Sequence, residues 1–137
     1  VSPVPMPEKL KEALDSRIYV TVATLQPDGS PHQSVVWVGR DGEDLFFVTG
    51  VDKLKVRNLR RDPRVSVSLN PPDDPYEYAV ISGTARFASA GSFERINGLA
   101  LKYTDKSYAE HNPESYASLP ELVTVHVTAE KIAARFR

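Results

Sequence analysis

Two runs of β-forming residues flank Gln26-Pro27-Asp28-Gly29-Ser30-Pro31, and this arrangement constrains the fold more than any other feature of the chain. Pro, Asp, Gly and Ser together specify a tight turn, so the two runs form a hairpin. Before the turn, Arg17 to Leu25 alternates, with Ile18, Val20, Val22 and Thr24 opposite Tyr19, Thr21, Ala23 and Leu25. After it, His32 to Gly39 does not alternate: Val35, Val36, Trp37 and Val38 are apolar on both faces. One face can fill a barrel, while the other needs a partner subunit or a bound aromatic ligand.

The remaining pattern extends this hairpin into a sheet. Glu8 to Ser16 has helical spacing, with Leu10, Ala13 and Leu14 on one side. Arg40-Asp41-Gly42-Glu43 turns into a strand from Asp44 to Thr49. Arg64 to Asn70 alternates, with Val65, Val67 and Leu69 inward and Ser66 and Ser68 outward. The rigid loop Pro71-Pro72-Asp73-Asp74-Pro75 precedes a long strand from Tyr76 to Phe87, in which Gly83 marks a bend or bulge. Ser92 to Tyr103 is helical, with Phe93, Ile96, Ala100 and Tyr103 on a stripe. Thr104 to Leu119 is polar with a short helix, and Leu122 to Ala129 is the last strand. The expectation is a mainly β chain: a six-stranded antiparallel split β-barrel with a few short helices, one of them between the third and fourth strands. No βαβ series is present, so a Rossmann fold is not expected.

At 137 residues the chain forms one domain, residues 1–137, with a proline-rich extended arm over residues 1–7. That arm lacks the basic-then-apolar pattern of a signal peptide. The absence of cysteine removes disulfides, a thiolate nucleophile and cysteine metal sites, and fits a reducing cytoplasm. No apolar run approaches the roughly 20 residues of a membrane span.

The segment from Thr49 to Pro63 carries the strongest functional signal. It runs from the end of a strand, through a small-residue turn, into a short basic helix. Six cations lie between Lys53 and Arg64 in a protein of formal net charge -1, a contrast that favours a local anion site over nucleic-acid binding. At about 100° per residue, Leu54, Lys55, Val56, Asn58 and Leu59 share one arc, and Lys53, Arg57, Arg60 and Arg61 the other. Lys55 and Asn58 therefore face the protein. A phosphate beside the helix N-terminus would give such an ammonium a partner; the alternative is a solvated helix whose Lys55 snorkels past its leucines.

Familiar catalytic machinery is missing. His32, His111 and His126 have no metal-ligand spacing, and the chain contains no nucleophile elbow, P-loop or carboxylate cluster. His126 reads as structural. Tyr76 and Tyr78, on one face at a strand start, are packing residues or flank a planar ligand. No metal ligand and no catalytic residue is assigned. An anion site, aromatic walls and a two-faced apolar strand suit a cofactor that brings its own reactivity.

Thr24 to Pro31 followed by Val35-Val36-Trp37 resembles the first hairpin of the pyridoxamine-phosphate-oxidase-like FMN- or F420-binding split barrels. Lys55-Val56-Arg57-Asn58-Leu59-Arg60-Arg61-Asp62-Pro63 resembles their phosphate-binding helix, and Tyr76-Glu77-Tyr78-Ala79-Val80 with Gly83-Thr84-Ala85 resembles the strand that completes the site. Within that family, the chain is most similar to the deazaflavin subgroup that uses coenzyme F420, found mainly in actinobacteria.

The resemblance implies a homodimer with its sites along the subunit interface. Lys55 and Asn58 would be phosphate ligands, Lys53 a further contact to phosphate or an acidic tail, and Thr49 and Gly50 strand-end contacts. Val36, Trp37 and Val38 would lie beside the ring, with Tyr76, Tyr78 and Ala79 reaching in from the other subunit. The chain lacks the extended C-terminal substrate region of true pyridoxamine-phosphate oxidases.

The implied activity is an F420-dependent oxidoreductase that passes a hydride to a planar conjugated small molecule. Alternatives are an FMN-dependent oxidase or reductase of the same fold, and a non-catalytic F420 or flavin carrier. The surplus cations Lys53, Arg57 and Arg60 favour the acidic tail of F420.

Overall fold

A computed structural model describes residues 2–117 and 121–137. Strands β1 (Tyr19–Leu25) and β2 (Pro31–Trp37) form the expected hairpin, with Val20 opposite Val36 and Thr21 opposite Val35. Gly29 occupies the left-handed region (φ 87°) that the turn requires. The Asp28 carboxylate accepts the Ser30 N–H at 3.0 Å and the Ser30 hydroxyl at 2.5 Å.

Beyond Trp37 the chain changes partners. After Val38 it continues as β3 (Gly39–Asp41), which pairs with β4 (Asp44–Gly50) at the opposite edge of the sheet. With β5 (Arg64–Leu69), β6 (Tyr78–Ala88) and β7 (Leu122–Arg135), the order is β2-β1-β5-β6-β7-β4-β3. The first and last strands of that order are consecutive in sequence, so one bent run of chain joins both edges. The sheet has seven strands where six were expected, because this run divides at Val38 and serves each edge in turn. Helix α2 (Leu54–Arg61) accordingly falls between the fourth and fifth strands.

The bend is feasible because helix α3 (Ser92–Thr104) replaces the lost ladder bonds. The Tyr103 hydroxyl accepts the Val38 N–H at 3.1 Å, and Lys102 Nζ donates to the Val38 carbonyl at 2.7 Å. A buried peptide group without such partners would cost about 1–3 kcal/mol. Gly39 lies under the Phe46 ring, where an added Cβ would fall 2.3 Å from the ring.

The register of β6 against β7 shifts between Ser82 and Gly83. A Cβ on Gly83 would lie 1.9 Å from the Thr128 carbonyl oxygen, so only glycine fits this bulge. The last strand runs past the expected Ala129 to Arg135, and Tyr76 falls in the turn before β6 rather than within the strand.

The interior is filled by Val20, Val22, Leu45, Phe47, Val67, Ile81, Val125 and Val127. Leu10 and Leu14 of α1 (Glu8–Asp15) belong to the same core. Each fully buried aliphatic side chain contributes about 1.5–3 kcal/mol. The N-terminal arm is extended but docked: Met6 is buried, its N–H bonded to the Glu43 carboxylate at 2.7 Å, and Val4 donates to Ala129.

Helix α3 covers the outer face of β4, where Leu99 and Tyr103 pack with Phe46, Trp37 and Val48. Two short helices follow, α4 (Tyr108–His111) and α5 (Pro113–Ala117). The polar stretch expected to reach Leu119 runs beyond the described residues. Among those described, no helix is long and apolar enough to cross a membrane.

Candidate functional site

A cleft of about 440 Å³ opens where β2 leaves the sheet. Tyr19, Val35, Val36 and Trp37 form one wall, with Val48 and Thr49 at the end of β4. Ile96 and Leu99 of α3 and Tyr108, His111 and Asn112 around α4 form the other, and Lys55 of α2 adds the single cation of the lining.

Packing on Tyr103 sets the position of Trp37. The two rings stack at 5.3 Å between centroids and 6° between planes, while His111 approaches Trp37 at 5.3 Å and 52°. The outward face of the two-faced apolar run is thus partly occupied by the chain itself, through α3 and α4. The capping box of α4 holds its position: Ser107 Oγ accepts the Glu110 N–H at 3.3 Å, and the Glu110 carboxylate accepts the Ser107 N–H at 3.4 Å. The Asn97 side chain accepts the Tyr108 N–H at 3.1 Å and ties α4 to α3.

Lys55 is half-buried and, among the described residues, has neither a hydrogen bond nor an ion pair. Burial, then the charge of Lys53, pushes its ammonium below the ordinary lysine range. An anion bound beside Lys55 would oppose both effects. Lys53 is exposed and precedes the helix as its N-cap.

The other cations of α2 are engaged elsewhere. Arg57 donates to the Asp52 carbonyl at 2.8 Å, Arg60 lies 4.4 Å from the centre of the Phe87 ring, and Arg61 bonds to the Leu25 carbonyl. The surplus of cations read from the sequence therefore reduces, at the cleft, to Lys55 with Lys53 nearby.

Apart from Lys53, the expected site residues divide into three groups. Val36, Trp37, Thr49 and Lys55 line the cleft together. Gly50, Val38 and Asn58 do not: Gly50 is buried and its carbonyl accepts the Lys53 N–H at 3.2 Å, and Val38 is in the core. Asn58 is 0% exposed, and its amide donates to the Thr24 hydroxyl at 3.1 Å. That bond fastens α2 to β1 and commits the Asn58 amide within the chain.

Tyr76, Tyr78 and Ala79 form the third group and lie away from their own chain's cleft. Ala79 is interior, Tyr78 is exposed on β6, and the Tyr76 ring packs under the Arg137 guanidinium at 4.9 Å. Sequence reasoning did not assign Tyr19, Tyr108, His111 or Asn112. The Ser107-x-x-Glu110 capping box was the readable signal for α4, but its location over Trp37 depends on tertiary packing.

Apolar walls with a few convergent polar groups are the usual character of a small-molecule site. Among the described residues no group of three or more His, Asp, Glu or Cys could hold a metal ion. Apolar walls with one cation in the lining suit a planar ring that bears an anionic group.

The family model for pyridoxamine 5'-phosphate oxidase matches residues 6–136, nearly the entire chain. This protein belongs to the pyridoxamine 5'-phosphate oxidase family. Among solved structures of similar proteins, an F420 reductase is 28% identical, with a TM-score of 0.80 over 93% of this chain and 98% of the reductase. A conserved hypothetical protein of Mycobacterium tuberculosis is 26% identical, with a TM-score of 0.77 over 96% of this chain and 85% of its own. General Stress Protein 26 of Bacillus anthracis, 18% identical with a TM-score of 0.69 over 93% and 91%, shares the fold. As a member of this family the protein is a mainly β split barrel, its antiparallel sheet curled around one core.

Proposed function

We propose that this protein is an F420-dependent oxidoreductase that reduces a planar, conjugated small molecule. The observation that carries the reading is Lys55: a half-buried ammonium, unpaired among the described residues, in a cleft walled by Trp37, Val36 and Val35. Likeness to an F420 reductase along nearly the full length of both chains supports the choice of cofactor.

The residues present fit the group. Lys55 would hold the phosphate, where a charge-assisted hydrogen bond relieves its burial. Trp37, with Val35 and Val36, would orient the ring and exclude water from one of its faces. Lys53, exposed beside the N-terminus of α2, would meet the acidic tail. When bound, the reduced deazaflavin supplies a hydride. Tyr76 and Tyr78, remote from their own cleft, would complete the cleft of a second copy in a homodimer.

A second reading, FMN as cofactor, is favoured by one specific observation. Arg57 and Arg60 are held by the Asp52 carbonyl and the Phe87 ring, so of the α2 cations Lys55 alone lines the cleft, as many as one phosphate requires.

Titration of the cofactor-free protein with F420 and with FMN, followed by quenching of cofactor fluorescence, separates the two. Roughly micromolar binding of F420 with much weaker FMN is expected, a ten-fold gap corresponding to about 1.4 kcal/mol. Tighter FMN binding would replace the F420 reading with the FMN one. Tight F420 binding without turnover of any conjugated acceptor would leave a carrier.

A further inference from the structure

Reduction of a conjugated double bond requires a proton as well as a hydride, and the family resemblance identified no acid among the residues of this chain. The cleft contains three titratable side chains besides His111: Tyr19 from β1, Lys55 from α2 and Tyr108 from α4 itself. Tyr103 of α3 lies behind Trp37, and the Glu110 carboxylate is bonded to the hydroxyl and N–H of Ser107. The reductase reading assigns Lys55 to the anion, and of the other groups in the cleft lining His111 is the one whose ring packs against Trp37. Imidazole is the side chain suited to protonate a substrate near neutrality.

We propose that His111 is the proton donor of this cleft for an α,β-unsaturated carbonyl acceptor bound in it beside the cofactor. The inference rests on the reductase reading given above. Its geometric support is threefold. The imidazole lines the same cleft as Lys55, sits 5.3 Å from the Trp37 ring at a tilt of 52°, and is carried on a helix fixed by the Ser107–Glu110 box and by Asn97. It is also exposed, so water can return its proton after each turnover.

The step balances as follows. The β-carbon of the acceptor takes the hydride from the reduced cofactor, which is oxidised. The π pair of the C=C bond moves to the α-carbon, and that carbon takes the imidazolium N–H proton. Neutral His111 then regains a proton from solvent, and the acceptor leaves as the saturated carbonyl compound.

The chain contains a single tryptophan, Trp37, and that gives a test independent of turnover. A protonated imidazole against the indole quenches its emission, so Trp37 fluorescence in the cofactor-free protein should step with pH as the imidazole gains its proton. His111→Gln, which keeps hydrogen-bonding capacity but cannot titrate, should abolish that step.

Single-turnover oxidation of reduced F420 by 2-cyclohexen-1-one, with menadione in parallel, should slow by roughly 10²–10⁴-fold in His111→Gln and lose its pH dependence. A fluorescence step that survives in the variant would overturn the proposal. So would an unchanged rate and pH profile, or no turnover of either probe by the wild type. If the wild type fails to bind F420 at all, the reductase reading falls with it, and the binding titration alone reports that outcome.

Discussion

The Tyr103 hydroxyl accepts the backbone N–H of Val38 at 3.1 Å, at the point where the chain leaves β2 and joins the opposite sheet edge as β3. The same hydroxyl donates to the Ile18 carbonyl at 2.5 Å, and its ring carries Trp37. One side chain therefore supports both the closure of the barrel and the wall of the cleft. Burial pushes the Tyr103 phenol above its ordinary range, which keeps the donor protonated.

Tyr103→Phe tests this directly. It retains the stacked ring but leaves the Val38 N–H without its hydroxyl partner and the Ile18 carbonyl without its donor. Urea unfolding should show a loss of about 1–3 kcal/mol, with little change in Trp37 emission. A loss within about 0.5 kcal/mol, the level of an ordinary surface substitution, would mean that the bend does not depend on this hydroxyl.

Asn58 provides a second test. Its amide is buried against Thr24, so Asn58→Ala strands the Thr24 hydroxyl and loosens α2 from β1. The expected cost is about 1–3 kcal/mol of stability. A double-mutant cycle with Thr24→Val should return a coupling of about 0.5–3 kcal/mol. If Asn58→Ala leaves stability intact and F420 binding alone suffers, the amide serves the ligand, as the family resemblance first implied.

Lys55 links binding to pH. In the free protein its proton is held less tightly than in an ordinary lysine, because of burial and of Lys53. The charge of a bound phosphate opposes both effects and raises the pKa, so binding takes up protons wherever Lys55 is partly neutral. F420 affinity should accordingly fall as pH rises through the pKa of Lys55 in the free protein. Lys55→Ala should weaken binding by about 1.5–3 kcal/mol and flatten that pH dependence. Isothermal titration in buffers of differing ionisation enthalpy would count the protons; an unchanged affinity in Lys55→Ala would remove the anion site.

Lys102 links stability to pH through the same kind of burial. Its Nζ donates to the carbonyls of Leu14 and Val38 at 2.6 and 2.7 Å, yet burial lowers its pKa from 10.5 to about 8, with Asp15 opposing. Between about pH 8 and 10.5 the unfolded chain therefore binds more protons than the folded one. Stability should rise with pH through that window, and the gain should be lost as pH falls back through 8. Lys102→Met should cancel the Lys102 part of that slope. A wild-type profile that falls across the same window, with Lys102→Met unchanged from it, would contradict this assignment.

The sequence made the barrel legible where the chemistry is local. Alternation located Val20, Val22 and Thr24 inside β1, and the helical arc correctly separated Val56, Asn58 and Leu59 from the exposed Arg57 and Arg60. Gly83 read as a bulge and is one. What stayed hidden depends on distant partners. The division at Val38 requires Tyr103 and Lys102, and the docking of Met6 requires Glu43. Asn58 turned inward because Thr24 was there to meet it, and His111 reached Trp37 only because α3 carries α4 across the sheet. No period or spacing encodes those meetings.

The last prediction concerns the outer face of the sheet. Val35, Thr21, Ser68, Val80 and Ala133 stand side by side across β2, β1, β5, β6 and β7, a row without charge. Val35 is 65% exposed and Val80 37%. Beside that row, Ala23, Ser66, Ser82 and Gly83 line a second concavity of about 430 Å³, with Arg64 and Lys131 also in its lining. A small-residue sheet face with exposed valines and Tyr78 suits a second copy of this chain, given the roughly 800 Å² per partner of a standard interface. Light scattering at micromolar concentration should report a dimer. Val80→Arg places a charge near the middle of that row and should yield a monomer, since an unpaired buried charge is costly. If Tyr78 completes the cleft of the partner, the same variant should also lose F420 affinity although Val80 lies outside the cleft. A wild-type monomer that binds cofactor would refute the dimer. A Val80→Arg monomer with undiminished affinity would show that each chain holds its cofactor alone.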